Sequence, residues 1–157
     1  MFYRFAVLLL SLVINIHASA QTVTDIDGNV YGAITIGNQV WMDANLRTTR
    51  YANGATIPTT DSCNTDSVGQ FEPKYQWAYD CDTALIPIYG LLYTWHVVDD
   101  SRNVCPTGWH VPSLAEFDTL VDYLGGSMVA GGKLKDTGTA YWLPPNTGAT
   151  NEVGYNG

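Results

Sequence analysis

The segment CPTGWHVPSLAEF, residues 105–117, constrains the fold more than any other part of the chain. Pro106-Thr-Gly108 is a turn signal, because proline presets one backbone angle and glycine accepts conformations that other residues avoid. Trp109-His-Val111 is predicted to form a short strand, and Pro112 ends it because proline has no amide hydrogen for a sheet. Although a cysteine, a histidine and a glutamate fall within this segment, we interpret it as scaffold rather than as a reactive site.

A helix is predicted to begin directly after this break. Ser113-Leu-Ala-Glu116 matches a capping box, in which serine and glutamate side chains each accept from the other residue's amide. Gly125-Gly126 ends the helix. The apolar residues between these signals fall on one helical face: Leu114, Phe117, Leu120, Val121 and Leu124. We therefore expect structural roles for four residues of this region, namely Trp109, Pro112, Ser113 and Glu116.

The first residues of the chain have the three-part pattern of a secretory leader. Arg4 precedes an apolar run, residues 5–16, and Ala18-Ser-Ala20 supplies the small residues of a cleavage site. The run is shorter than the roughly 20 residues that a membrane-spanning helix needs, and Gln21 stands where a lipoprotein would have cysteine. We predict a signal peptide over residues 1–20 and a mature protein that is secreted, extracellular or on the cell surface, with the periplasm as an alternative.

Composition limits the remaining chain to one domain, residues 21–157. The sequence has 157 residues, of which 46% are hydrophobic and only 14% charged, and its formal net charge is −8. This excess of carboxylates argues against nucleic-acid binding, which relies on lysine and arginine, and against docking on anionic membranes. We expect no nucleic-acid partner and no transmembrane segment, and the oligomeric state stays open.

The chain has three cysteines, Cys63, Cys81 and Cys105. Export leads to an oxidising compartment, so one disulfide is expected, and the sequence leaves three pairings open. Cys63 and Cys81 both lie in the polar stretch 59–83, where a disulfide would pin a long loop, so we favour that pair. Cys105 would then be a buried thiol. A zinc site is disfavoured, because no cysteine and histidine spacing fits one.

Near the start of the mature chain, the pattern predicts a β-hairpin. β-Branched and aromatic residues fill 30–36, Gly37-Asn38 is a tight-turn signal, and Val40-Trp-Met42 resumes the apolar run. The preceding Asp25-x-Asp-Gly-Asn is similar to the start of a calcium loop, but Ile36 occupies its twelfth position instead of a glutamate. We interpret these residues as a turn before the hairpin.

A second helix is predicted over residues 90–98. The apolar residues of this stretch recur at helical spacing: Leu91, Leu92, Trp95 and Val98.

The motifs give little support for catalysis. His96 lies in an apolar stripe and is interpreted as a packed, hydrogen-bonded side chain, whereas His110 alternates with apolar neighbours and is given a structural role. Nucleophilic catalysis needs a positioned base and an oxyanion site, and nothing at a recognisable spacing from Cys105 supplies them. No resident cofactor is expected. Calcium is left open, because four loop carboxylates are suitable ligands: Asp80, Asp82, Asp99 and Asp100.

The polar stretch 142–152 is the candidate binding loop. Asparagine, threonine and glutamate beside an aromatic ring are groups that a sugar- or calcium-binding loop uses, although they also satisfy a loop's own backbone. The candidate ligand-binding residues are Trp142, Asn146, Asn151 and Glu152.

Five blocks of the chain together resemble a known family. They are DIDGNVYGAITIGNQVWMDANLRTTRYANG, YGLLYTWHVV, CPTGWHVPSLAEF, GGKLKDTGTAYW and PNTGATNEVGY, in the order that the family has them. They resemble the Fibrobacter succinogenes major paralogous domain, a family of secreted and surface proteins largely of Bacteroidetes-type bacteria. That family is in turn similar to C-type-lectin-like and formylglycine-generating-enzyme-like domains, in which a helix, a cysteine, a Gly-Trp-x-x-Pro strand and a second helix follow one another.

The resemblance implies an α+β, C-type-lectin-like fold, with two short helices packed on a small, twisted, mostly antiparallel sheet and with long loops. It implies that the chain stops before the family's C-terminal strands. For function, it implies a non-enzymatic domain that recognises a glycan or another surface ligand through its loops. One alternative is a structural module of a surface assembly. The least favoured alternative is a modifying enzyme like the formylglycine-generating ones, whose paired oxidase cysteines have no counterpart here.

Overall fold

The computed structural model describes residues 21–59 and 73–155. The predicted leader, residues 1–20, and Cys63 lie outside the described residues. The described elements form a small α+β fold, with a three-stranded sheet, a two-stranded sheet and several short helices. The predicted fold class is confirmed at this level, with two antiparallel sheets in place of one and with more helices than the two expected.

The first sheet is an antiparallel meander. Its strands are β1 (Gln21–Thr24), β2 (Val30–Ile36) and β3 (Gln39–Met42), in the order β1-β2-β3. Ile36 pairs with Gln39 across the Gly37-Asn38 turn, which confirms the predicted hairpin.

The turn before β2 is held by its own carboxylates. Asp25 accepts hydrogen bonds from the amides of Asp27 and Asn29, at 3.0 and 2.9 Å, and from the hydroxyl of Tyr31 at 2.5 Å. Asp27 accepts from the amide of Thr49 at 2.5 Å, and thereby ties the turn to a distant segment. The interpretation as a turn is therefore confirmed, because protein donors occupy both carboxylates.

The second sheet pairs β4 (Gln76–Ala78) with β5 (Leu91–Tyr93). Helix α1 (Ile86–Tyr89) precedes β5, and helix α2 (Trp95–Val98) follows it. The helix predicted over residues 90–98 is therefore wrong in its first half and confirmed only from Trp95 onward.

Contacts with other parts of the chain explain the extended half. Gly90 has φ 68°, which ends α1, and the amide of Leu91 donates to the carbonyl of Leu46 at 2.8 Å. The hydroxyl of Thr94 accepts from the amide of Tyr75 at 3.1 Å. These hydrogen-bond partners keep the backbone extended. They outweigh the helical tendency of the apolar spacing, because a segment this short does not form a stable helix alone.

Helix α3 (Leu114–Tyr123) confirms the predicted helix. Its capping box is complete, with the Glu116 amide 3.4 Å from the Ser113 hydroxyl and the Ser113 amide 2.7 Å from the Glu116 carboxylate. Beyond Gly125-Gly126, helix α4 (Ala130–Leu134) follows.

The predicted apolar face of α3 is covered only along its C-terminal half. Leu120 and Leu124 are buried, whereas Leu114 is 78% exposed and Phe117 is 46% exposed. The first turn of the helix therefore presents apolar surface that the described residues do not cover.

The strand predicted at 109–111 is wrong, because these residues pair with no strand of the described chain. The amide of Trp109 instead donates to Pro106 at 2.9 Å, and its carbonyl accepts from the side chain of Asn103 at 3.1 Å. The local turn takes the main-chain groups that a neighbouring strand would otherwise have used.

Two apolar clusters lie in the interior of the part of the chain that the structure describes. The first joins the meander to α3 and α4 through Ile36, Trp41, Leu120, Leu124 and Ala130. The second lies under the loops beside β5 and consists of Tyr51, Ile57, Val97, Val104 and Cys105.

Candidate functional site

An open cleft of about 740 Å³ lies beside β3. One wall is formed by residues 38–42 and 44–46, and the facing wall by residues 108–112 together with Glu116 and Phe117. The remaining lining residues are Gln21, Cys105 and Tyr155. The cleft has the size of a typical small-ligand site, and its facing wall comes from the segment that the sequence marked as scaffold.

Aromatic residues contribute to the apolar part of the cleft. Trp41 and Phe117 contact each other with ring centroids 5.4 Å apart. Trp109 lies on the facing wall and packs against the second apolar cluster. The indole nitrogen of Trp41 is buried and has no hydrogen-bond partner among the described residues, which leaves a donor beside the cleft unused.

A hydrogen-bonded pair, His110 and Glu116, lies where the facing wall meets α3. The Glu116 carboxylate is 2.8 Å from the Nε2 of His110 and accepts from both the amide and the hydroxyl of Ser113 at 2.7 Å. The Ser113 amide, the Ser113 hydroxyl and then His110 lower the pKa of Glu116 to about 2. Glu116 therefore keeps its predicted capping role and also carries a negative charge in the cleft lining.

This carboxylate predicts a specific acid sensitivity. A carboxyl whose pKa is lower in the folded state stabilises that state above its ordinary pKa of 4.5, and the contribution disappears as pH falls towards 2. We expect Glu116→Gln to lower stability at pH 7 and to flatten the loss of stability between pH 4.5 and 2. Urea unfolding at several pH values measures both effects. Asp118→Asn, at an exposed carboxylate of the same helix, is the control, and an equal effect of both substitutions would contradict the prediction.

Cys105, His110 and Glu116 line the same cleft, so the segment 105–117 is not scaffold alone. Cys105 is nevertheless a free, buried thiol that belongs to the second apolar cluster. Burial raises the pKa of Cys105 to about 11, whereas a nucleophilic cysteine needs a lowered pKa. The buried position agrees with the prediction for this residue.

The raised pKa predicts that the Cys105 thiol reacts slowly with alkylating reagents. We expect iodoacetamide to label Cys105 in the folded chain at pH 8 at least tenfold more slowly than in urea, because both burial and protonation protect the sulfur. Mass spectrometry of the labelled chain over time measures the rate. Equal rates in the folded and unfolded states would show that the thiol is accessible and reactive.

The structure brings two of the predicted ligand-binding residues together around Asp136. The side-chain nitrogen of Asn146 donates to the carbonyls of Asp136 and Gly138, at 2.7 and 2.8 Å, and that of Asn151 lies 3.4 Å from the Asp136 carboxylate. The side-chain oxygens of both asparagines are buried and have no partner among the described residues. The nitrogens therefore hold the loop together, while the oxygens are left without a protein donor.

The other two predicted residues contact lysines. The ammonium of Lys135 lies 5.1 Å from the ring centre of Trp142, and Lys133 forms an ion pair of 3.1 Å with Glu152. None of the four predicted residues lines the cleft beside β3. The loop and the cleft are therefore two separate candidate sites.

The carboxylates considered for calcium are not gathered into a site. Arg102 and then Lys74 hold the pKa of Asp100 well below its usual range, and their nitrogens lie 2.7 Å from its carboxylate. Asp82 accepts from the amide of Ala84 at 2.9 Å. Among residues 21–59 and 73–155, no three or more histidine, cysteine, aspartate or glutamate side chains are grouped so as to hold a metal ion.

The described cysteines differ in state. Cys81 is disulfide-bonded, and Cys105 is free. The pairing of Cys81 with Cys63 stays a prediction, because Cys63 lies outside the described residues.

Sequence reasoning missed the wall that β3 contributes. Trp41 was assigned to a hairpin and Phe117 to a helix face, and both assignments hold, but nothing in their spacing shows that the two rings meet. The one local signal was Phe117 near the start of α3, where an apolar residue at the exposed end of an amphipathic helix indicates a further contact.

In the part of the chain that the structure describes, no helix has the length and apolar character needed to cross a bilayer. No curated protein and no solved structure matches the chain. The relation to C-type-lectin-like domains therefore stays a prediction. Residues 34–157 match the family model of the Fibrobacter succinogenes major domain, and the chain belongs to that family.

Proposed function

We propose that the chain is a secreted or cell-surface, non-enzymatic binding domain that holds its ligand in the cleft beside β3. The observation that carries the proposal is an open cleft of about 740 Å³ with aromatic walls. Apolar walls with a few convergent polar groups are the usual composition of a ligand site. Here the polar lining residues include Asn38, Gln39 and Asn45, together with Glu116.

A further feature supports binding rather than catalysis. The pKa of Cys105 is raised to about 11, which is opposite to what a nucleophilic thiol needs. Aromatic faces and amide groups suit a glycan, and the same groups suit a peptide.

A pair of matched variants shows whether a ligand binds in the cleft or on the predicted loop. Phe117 and Trp142 are similarly exposed, at 46% and 42%, but only Phe117 lines the cleft. We expect a ligand found on a glycan array or in a random peptide library to lose roughly tenfold in affinity with Phe117→Ala. Trp142→Ala is expected to leave that affinity unchanged.

If Trp142→Ala weakened binding and Phe117→Ala did not, the ligand would lie on the loop of residues 142–152. That result would overturn the proposal that the cleft is the binding site. No ligand from either source would count against a binding function altogether. A calcium titration belongs in the same series, because the free side-chain oxygens of Asn146 and Asn151 are of a type that calcium accepts. Calcium binding would appear as a rise in melting temperature.

The proposed secretion of the protein can be tested separately. Residues 1–20 are proposed to be removed as a signal peptide, so the exported protein is expected to begin at Gln21. N-terminal sequencing of protein from the periplasm or the medium measures this. A protein retained inside the cell with Met1 in place would contradict a secreted location.

A structural module of a surface assembly is the second candidate, and exposed apolar side chains favour it. Met128 is 94% exposed, Leu143 is 91% and Leu114 is 78%. Light scattering over a range of concentrations tests it, since self-assembly raises the apparent mass with concentration. A monomer at every concentration would weigh against homotypic assembly.

A further inference from the structure

β3 is an edge strand whose outer main-chain groups are unpaired. The amide of Asp43 donates to the carbonyl of Gly32 at 3.0 Å, so these two residues form a hydrogen-bonded pair. From there, hydrogen-bonded and non-hydrogen-bonded pairs alternate along the hairpin. In an antiparallel pair only every second residue bonds to the neighbouring strand. Trp41 and Gln39 therefore bond to β2, whereas the N–H and C=O groups of Val40 and Met42 point away from it.

The two residues that carry these outer groups belong to the cleft lining. Val40 and Met42 both line the cleft, and no described residue forms a hydrogen bond with the main chain of either. The facing wall, residues 108–112, approaches without forming a strand. The cleft therefore includes the outer edge of β3, and residues 108–112 form the wall that faces it.

The edge also lacks the usual protection against strand pairing. Natural edge strands are blocked by charged residues, prolines or bulges, but the sequence of β3 is QVWM. The opposite edge of the same sheet, β1, is polar, with the sequence QTVT. An uncharged, partly apolar edge beside an open cleft is suited to receive another strand.

The charge around the cleft selects the chemistry of that strand. Glu116 is ionised at neutral pH, and among the described residues no lysine or arginine lines the cleft. The whole chain carries a formal charge of −8. A basic segment is therefore favoured over an acidic one, with Lys or Arg near Glu116 and apolar side chains against Trp41 and Phe117.

From these observations we propose that the cleft receives an extended peptide segment of another protein, which adds to β3 as a fourth strand of the meander. The segment is about as long as β3 itself, four residues. It carries one lysine or arginine and alternating apolar side chains. Strand addition supplies affinity through main-chain hydrogen bonds and specificity through alternate side chains. The inference rests on the proposed binding function and specifies its ligand.

The test uses the mature chain and a displayed library of random heptapeptides. We expect selected peptides to be rich in β-branched residues, to carry lysine or arginine, and to slow hydrogen exchange at the amides of Val40 and Met42. Methylation of alternate peptide nitrogens is expected to abolish binding, because it removes the donors to β3. Slow exchange at these amides in the free monomer would overturn the proposal, since the edge would already be covered.

Proline variants at the two edges provide a matched comparison. Met42→Pro removes an outward N–H from β3, and Thr22→Pro removes an outward N–H from β1, since Thr22 lies opposite Gly32, whose bonds go to β3. Neither amide takes part in the meander. We expect Met42→Pro to weaken peptide binding roughly tenfold or more and Thr22→Pro to leave it unchanged. An equal effect of both variants would overturn strand addition at β3.

The remaining outcomes separate this inference from the proposed function. If a glycan binds in the cleft and no peptide is selected, strand addition by a peptide is overturned. The proposed binding function is then retained. Protection of Val40 and Met42 that rises with protein concentration would identify a second copy of the chain as the occupant and overturn the peptide. No glycan and no peptide would overturn both.

Discussion

Replacing Gly90 with alanine is expected to destabilise the domain by roughly 3 kcal/mol or more. Gly90 has φ 68° at the end of α1. A β-carbon there would lie 2.6 Å from the carbonyl oxygen of Leu46 and 2.7 Å from the β-carbon of Asn45. Both the backbone angle and the close contact therefore penalise a side chain. Since Asn45 and Leu46 line the cleft, the substitution is also expected to displace the wall that they form.

Gly54→Ala is the matched control for this prediction. Gly54 has φ 87°, but no atom lies within 4 Å of a β-carbon placed there. Its substitution is expected to cost only the backbone strain, about 1–2 kcal/mol. Urea unfolding of both variants measures the difference, which isolates the contact with residues 45–46. Equal losses would show that this segment yields easily and that Gly90 is needed only for its backbone angle.

The second large effect is expected at Gly132 in α4. A β-carbon at Gly132 would lie 2.2 Å from the carbonyl oxygen of Gly148, and the carbonyl of Gly132 accepts from the amide of Thr150 at 2.8 Å. The loop that contains Asn146 and Asn151 therefore packs directly on the helix backbone. We expect Gly132→Ala to cost roughly 2–3 kcal/mol, because the loop must move away as a whole.

Substitution of the neighbouring glycine, Gly131, is expected to change stability in the opposite direction. No atom lies within 4 Å of a β-carbon placed at Gly131, and alanine favours a helix over glycine by about 0.5–1 kcal/mol. Gly131→Ala is therefore expected to stabilise the domain slightly, while Gly132→Ala destabilises it. Urea midpoints of the two variants, with hydrogen exchange of residues 146–151, measure both effects. Destabilisation by both would mean that α4 does not tolerate a side chain for reasons other than the loop contact.

Local signals predicted the elements that local interactions stabilise. The capping box at Ser113 and Glu116 defines the start of α3 from within four consecutive residues. The Gly37-Asn38 turn likewise defines the hairpin of β2 and β3. Both predictions are confirmed, because the hydrogen bonds that hold them lie within the predicted segments themselves.

The predictions failed where partners outside the predicted element decide the backbone. Residues 91–93 have helical spacing, but they form β5 because β4 and the carbonyl of Leu46 take their main-chain groups. Residues 109–111 have the composition of a strand, but Asn103 and Pro106 take the main-chain groups of Trp109. Neither set of partners can be recognised from spacing along the chain.

The amino-acid sequence by itself determined the family, the α+β class, the capped helix and the hairpin, because each is encoded by neighbouring residues or by blocks in a fixed order. Only the tertiary structure decided where a ligand has room. The cleft exists because β3 ends its sheet beside residues 108–112 and brings Trp41 against Phe117. Those surfaces come from segments far apart in the chain, and their approach depends on packing rather than on any local pattern.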